Sequence, residues 1–128
     1  MEERELIKYL CLTQGSLRKE KIAIFVKHNP DCSKSMKMQM QNIFTIILAT
    51  KYNKKITALR TQPLCNLKSA ILIRIMIGQN FIYPLLNNKK HKTYYYLTDK
   101  SEAMVADLVK AFRKKEMQFE ELSIKDIQ

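Results

Sequence analysis

Glycine and proline are scarce in this chain, with two glycines and three prolines in 128 residues. So few turn formers exclude long flexible linkers and an all-β fold built from many short strands. Cys11, Cys32 and Cys65 contain no C-x-x-C pair and are odd in number, which argues against a disulfide framework. His28 and Cys32 stand four residues apart, but Pro30 between them disfavours a helix there, so no metal site is expected. The chain has two histidines, no glycine-rich phosphate loop and, between residues 8 and 92, only the acids Glu20 and Asp31. A Mg²⁺-dependent nuclease needs several converging carboxylates in such a region. The residues therefore point away from an enzyme and away from a cofactor. No apolar run approaches the roughly 20 residues that span a bilayer, because residues 70–77 are interrupted by Arg74 and followed by Gly78. The acidic opening MEERELIKYL does not read as a signal peptide. A soluble protein acting in the cytoplasm, encoded by a cell, a virus or a plasmid, is the expectation, with no membrane partner.

What is abundant is positive charge, at a net +11, and it is segregated. Residues 8–92 hold 16 Lys/Arg against two acids, whereas residues 93–128 hold six against seven. A cationic body with a near-neutral tail implies a polyanion partner on one surface and self-association on another. The apolar fraction, 46%, is that of a globular protein, and a single domain over residues 1–128 follows.

Helical periodicity dominates the pattern, which predicts a mainly α (α+β) fold. Leu6, Ile7, Leu10 and Cys11 place a short amphipathic helix over residues 2–13. Gly15-Ser16 ends it, with Ser16 positioned to cap the next element. Residues 17–28 suit a helix, although Ile22 to Val26 alone could form a strand. Asn29-Pro30-Asp31 breaks the chain. From Met36 to Lys51 apolar residues recur at three and four, the mark of one long buried helix. A short helix is expected from Ile56 to Gln62, stopped by Pro63. Another runs from Asn66 to Ile77, with Gly78 as terminator. A last long helix opens at Thr98 or Asp99 and carries Met104, Leu108, Ala111, Phe112 and Phe119.

Residues 81–100, FIYPLLNNKKHKTYYYLTDK, stand apart. Two runs rich in aromatic and β-branched residues flank a polar, cationic tip, which reads as a β-hairpin. Pro84 cannot donate to a ladder and places the first run at an edge or the hairpin's start. Asn87-Asn88 offers residues tolerant of positive φ. Lys89, Lys90, His91 and Lys92 crowd the tip. Such a ribbon after a helix has the form of a nucleic-acid-binding wing.

The order of elements from residue 36 is that of a winged helix-turn-helix. The junction Lys92-Thr93-Tyr94-Tyr95-Tyr96-Leu97-Thr98-Asp99-Lys100 resembles the "R-x-Y-Y-x-L-T-x-K-G" wing-to-helix junction of PadR-like and MarR-like winged-helix regulators. Leu72-Ile73-Arg74-Ile75-Met76-Ile77-Gly78-Gln79-Asn80-Phe81-Ile82 resembles their "L-x-R-x-L-x-x-x-G-L-I" segment, and Ile56-Thr57-Ala58-Leu59 the start of their second helix. The likeness covers about residues 40–118. Ser101 and Asn80 stand where those families carry glycine, and the "D-x-R" pair of MarR wings is missing. The resemblance implies a winged helix over residues 36–98, preceded by a helical extension (1–35) and followed by a dimerisation helix (99–128). It implies a homodimeric transcriptional regulator that binds double-stranded DNA sequence-specifically. Rivals are a plasmid or viral replication or partition protein, a winged-helix protein-interaction module and a binder of structured RNA.

Chemistry assigns the contacts. Lys89, Lys90, His91 and Lys92 would meet phosphate or the minor groove, and Arg74 a guanine or a phosphate through its planar fork. Asn66, Lys68 and Ser69 would lie at a helix N-terminus that favours phosphate. Thr57, Arg60 and Thr61, flanked by Lys54 and Lys55, would touch backbone. If Leu72, Ile73 and Met76 face the core, Ile71 and Ile75 lie toward the groove. The dimer contact expected from the resemblance falls on Leu6, Ile7 and Leu10 of the first helix with Met104, Leu108, Ala111, Phe112 and Phe119 of the last. Nothing in the sequence indicates a small-molecule effector.

Overall fold

A computed structural model describes residues 1–58 and 69–127, excluding the side chains of Ser69 and of residues 117–127. The order is α1 (Glu3–Leu12), α2 (Arg18–His28), α3 (Lys34–Met38), α4 (Met40–Asn53), α5 (Ser69–Gly78), β1 (Ile82–Asn87), β2 (Lys92–Leu97) and α6 (Asp99–Ile127). The protein is mainly helical, with one antiparallel two-stranded hairpin among the described residues.

Helix α4 is the centre of the core. Its residues from Ile43 to Thr50 are all buried, as expected of a helix surrounded by others rather than lying on a surface. Around it, one cluster gathers Leu6, Ile7 and Leu10 of α1, Ile24 and Phe25 of α2, Leu72, Ile73 and Met76 of α5, and Met104, Val105 and Leu108 of α6. Phe25 stacks on Phe81 with ring centroids 5.8 Å apart and lies 6.3 Å from Phe44, joining α2, α4 and the root of the hairpin. The first and last helices are thus built into the same core as the middle of the chain. This corrects the expectation for Leu6, Ile7, Leu10, Met104 and Leu108. Each is fully or almost fully buried within its own chain, so none is free to meet a second subunit in this conformation. Ala111 and Phe112 are half-buried, with Phe112 edge-on to Tyr9 at 5.8 Å, and Phe119 lies outside the described side chains.

Local chemistry departs from expectation at several joints. Residues 17–28 resolve as helix, but Ser16 does not cap it. Its hydroxyl donates to the Thr13 carbonyl (2.8 Å), closing a turn, and Leu17 takes the N-cap position in the left-handed region at φ 54°. The single helix expected from Met36 is two. Ser33 caps α3 by accepting from the Met36 amide (3.2 Å), and the Gln39 amide bonds back three residues to Met36 (3.0 Å), tightening the turn before α4 begins. Ile56 does not open the expected helix but forms an isolated bridge with Tyr95; Ala58 is helical, and residues 59–62 of that element lie outside the described part. Gly78 lies inside α5 without a positive φ, and Asn80, at φ 62°, makes the left-handed step. At the other break the sequence reading holds. α2 ends at His28, and buried Asn29 donates from Nδ2 to the Phe25 carbonyl (2.9 Å).

Lysines form part of the interior. Lys21 is wholly buried, its ammonium donating to the Gln14 carbonyl (3.0 Å), and that burial pushes its pKa below the ordinary lysine value. Burial also pushes the Cys11 thiol up, while the charge of Lys21 pulls it back. Lys100, in the first turn of α6, donates to Asn29 Oδ1 (2.8 Å) and to the Gln79 carbonyl, and lies 4.2 Å over the Phe81 ring. It ties the turn after α5 to the end of α2. Thr98 caps α6 by accepting from the Ser101 amide (3.3 Å), and buried Ser101 donates to the Phe81 carbonyl (2.6 Å). The hydroxyl at position 101 therefore has a partner that a glycine would leave unmet.

Candidate nucleic-acid interface

The hairpin is placed by β2, which pairs with β1 on one side and with Ile56 on the other. β1 is the outer strand, which fits Pro84, since an edge position leaves no ladder donor missing. Ile82 pairs with Leu97, Pro84 with Tyr95 and Leu86 with Thr93, forming one face. Ile82 belongs to the core, and Tyr95 and Leu97 pack against it. The other face carries Tyr83 with Tyr96, Leu85 with Tyr94 and Asn87 with Lys92. At the tip the Asn87 side chain accepts from the amides of Lys89 (3.0 Å) and Lys90 (3.2 Å). The positive φ falls on His91, at 49°, not on Asn87 or Asn88 as expected. Asn87 shapes the tip through its side chain instead of its backbone.

That geometry leaves Lys89, Lys90, His91 and Lys92 exposed together. Lys54 and Lys55 are exposed just before the Ile56 bridge, and the Lys55 ammonium lies 4.4 Å over the Tyr94 ring. The bridge therefore brings Lys55 to the hairpin. Thr57, half-buried, follows it. In α5 the buried residues Leu72, Ile73 and Met76 leave the opposite stripe, Ile71, Arg74 and Ile77, exposed. Ile75, expected with Ile71 on the groove side, packs partly against the core. Arg74 is the cation of an otherwise apolar outer face. The side chain of Ser69 and the residues Arg60, Thr61, Asn66 and Lys68 lie outside the described part.

Among the described residues, ion pairs engage four cations of the helical body and none at the hairpin. Asp107 takes His28 Nε2 at 2.8 Å and Lys27 Nζ at 3.1 Å, Glu102 takes Lys51 at 2.7 Å, and Glu20 takes Lys115 at 2.6 Å. The hydrogen bond from His28, with that from Lys27, holds the Asp107 carboxyl below its usual range, and the bond from Lys115 does the same for Glu20. Among the described residues, Lys54, Arg74, Lys89, Lys90 and Lys92 have no carboxylate partner. A patch of like charge at one end of a hairpin repels itself unless something anionic meets it.

Two features were missed in the sequence. The tyrosine face follows from period-two alternation once the tip is fixed, since Tyr83, Tyr94 and Tyr96 fall on the same side. Lys100 sits in the motif that carries the family resemblance, but its contacts are made to distant residues that no local pattern reveals. Elsewhere, a cleft of about 400 Å³ between α2 and α6, with Ala23, Ile24, Lys110 and Lys114 in its walls, shares no residue with α5 or the hairpin. Among the described residues no group of three or more His, Cys, Asp and Glu is placed to hold a metal ion, and no helix is long and apolar enough to cross a membrane. Comparison of the chain with protein-family models, with curated proteins and with solved structures finds no match.

Proposed function

We propose that the protein is a winged helix-turn-helix that binds double-stranded DNA, acting as a homodimeric transcriptional regulator by occlusion or recruitment at a promoter. The observation that carries this reading is the exposed cluster Lys89, Lys90, His91 and Lys92 at the hairpin tip, free of carboxylates among the described residues. Cations on a projecting ribbon suit phosphate contact, and the helix before it offers Arg74 for a base or a phosphate. With Ile71 and Ile77 flanking Arg74, base readout is sparse and phosphates supply most of the affinity. An isoleucine can still meet a thymine methyl. Subunit contact falls to apolar side chains that the core leaves exposed, such as Leu12, Ile22 and Val26.

A second reading, a protein-interaction module, is favoured by that same exposed Ile71–Ile77 stripe. Selection of bound duplexes from a random pool, followed by footprinting, separates the two. A recurrent, two-fold-symmetric protected site is expected of the regulator, and its position tells a promoter from a replication origin. No duplex retained at low salt would leave the interaction module.

A further inference from the structure

The face of the hairpin turned away from the core is costly as it stands. Tyr83 is 43% exposed and Leu85 53% exposed. Across from them, Tyr94 and Tyr96 are half-buried without joining the hydrophobic cluster that Tyr95 and Leu97 pack against. An antiparallel sheet with one solvated face ordinarily carries polar residues there. This one carries a ladder of aromatic rings. Tyr83 and Tyr96 are stacked, with centroids 5.7 Å apart and planes at 24°, so the ladder is already ordered.

Among the described residues, the ladder has cations at its border. Lys55 lies over Tyr94 and Lys92 shares the ladder's face, with Lys89 and Lys90 beyond it. Residues 81–98 contain no Asp or Glu. Along β2, Lys92, Tyr94 and Tyr96 follow at every second residue, so cation and rings recur about 6.7 Å apart in a straight line. Aromatic rings in line beside a cationic rail are the two elements that hold a single strand, the rings for bases and the rail for phosphates. An apolar protein partner would explain the rings and leave the one-sided charge unused.

We infer that this outward face is a stacking surface for unpaired nucleobases, and that the protein holds single-stranded DNA along Tyr83, Tyr96 and Tyr94 with Lys55 and Lys92 on its phosphates. The surface follows from the hairpin alone; the choice of DNA over RNA rests on the duplex-binding reading above.

The chain has no tryptophan, and three of its six tyrosines, Tyr83, Tyr94 and Tyr96, lie on this face, so tyrosine fluorescence is sensitive to its occupation. The full chain is titrated with oligo-dT, an abasic oligomer of equal length, oligo-rU and a duplex. Oligo-dT is expected to quench the tyrosines and to bind more tightly than the abasic strand. Tyr83→Ala is expected to weaken oligo-dT about 5- to 150-fold, Tyr83→Phe to restore it, and both to leave duplex affinity unchanged. Tyr83→Phe keeps the stack on Tyr96 and should melt like the parent, whereas Tyr83→Ala gives up that stack and should still be folded at the titration temperature. Equal binding of the abasic strand, or oligo-dT affinity unmoved by Tyr83→Ala, would overturn the stacking surface. Tenfold tighter oligo-rU binding would overturn the choice of DNA. Duplex binding lost while oligo-dT binding stays would count against the promoter reading and leave this surface standing.

Discussion

In the helical body, four cations meet acids at the seams between elements: Lys27 and His28 hold Asp107 across α2 and α6, Lys51 holds Glu102 across α4 and α6, and Lys115 holds Glu20 across α6 and α2. At the hairpin, Lys89, Lys90 and Lys92 meet no carboxylate among the described residues, and Lys55 rests on a tyrosine ring. The rings divide the same way. Phe25, Phe44 and Phe81 lock the body from within, whereas Tyr83 and Tyr96 stack on an outer face. The difference teaches that ion pairs crossing between elements belong to the packing, whereas the tip cations take no part in it, which is why the proposed partner is placed there. Charges paired across elements hold a structure together; exposed cations gathered without acids add nothing to it and are an asset only when a polyanion arrives.

The comparison can be broken at either end. The largest effect belongs to the body: Phe25→Ala should cost about 3–5 kcal/mol of stability, seen as a lowered denaturation midpoint, because its ring joins three elements. A loss under about 1 kcal/mol would mean that the hairpin is not anchored through Phe25. Next comes the outer face of α5, where Arg74→Ala should weaken duplex binding by about 1–3 kcal/mol while leaving stability within about 0.5 kcal/mol. Equal damage to both would put Arg74 with the body. Smaller still, Asp107→Asn should cost about 1 kcal/mol at neutral pH by weakening the bonds from His28 and Lys27. Its carboxyl has a lowered pKa in the fold, so its contribution is complete above the unfolded value and disappears as pH falls through the folded one. Denaturation midpoints measured from pH 7 to pH 2 should therefore converge for parent and variant at the acid end. A gap that persists there would assign Asp107 no titrating role.

Much of the body was legible in the sequence. Three-and-four spacing located α1, α4 and α6, and Asn29-Pro30 marked the end of α2. The hairpin strands followed from β-branched and aromatic runs, and the exposed tip cations from composition alone. What periodicity could not tell was where a stripe points. Leu6, Leu10, Met104 and Leu108 form the same pattern whether they meet a partner subunit or their own core, and only tertiary packing decides. The joints were hidden for a related reason. One amide bonding back three residues at Gln39 divides α3 from α4, and left-handed steps fall on Leu17, Lys54 and His91, none of them a glycine; only Asn80, which stands where the resembling families carry glycine, was a residue suited to that step. Lys21 was illegible because a fully buried lysine looks, in sequence, like any other cation of a basic chain.

The most direct measurement is the salt dependence of duplex affinity for the parent and for a Lys89→Ala, Lys90→Ala double variant. Neither substitution touches the core, so both proteins should unfold within about 0.5 kcal/mol of each other. The slope of log K against log salt should flatten by roughly 0.9 for each phosphate contact removed. An unchanged slope in a folded variant would contradict the account, because the cations that the fold leaves unpaired would then have no part in binding.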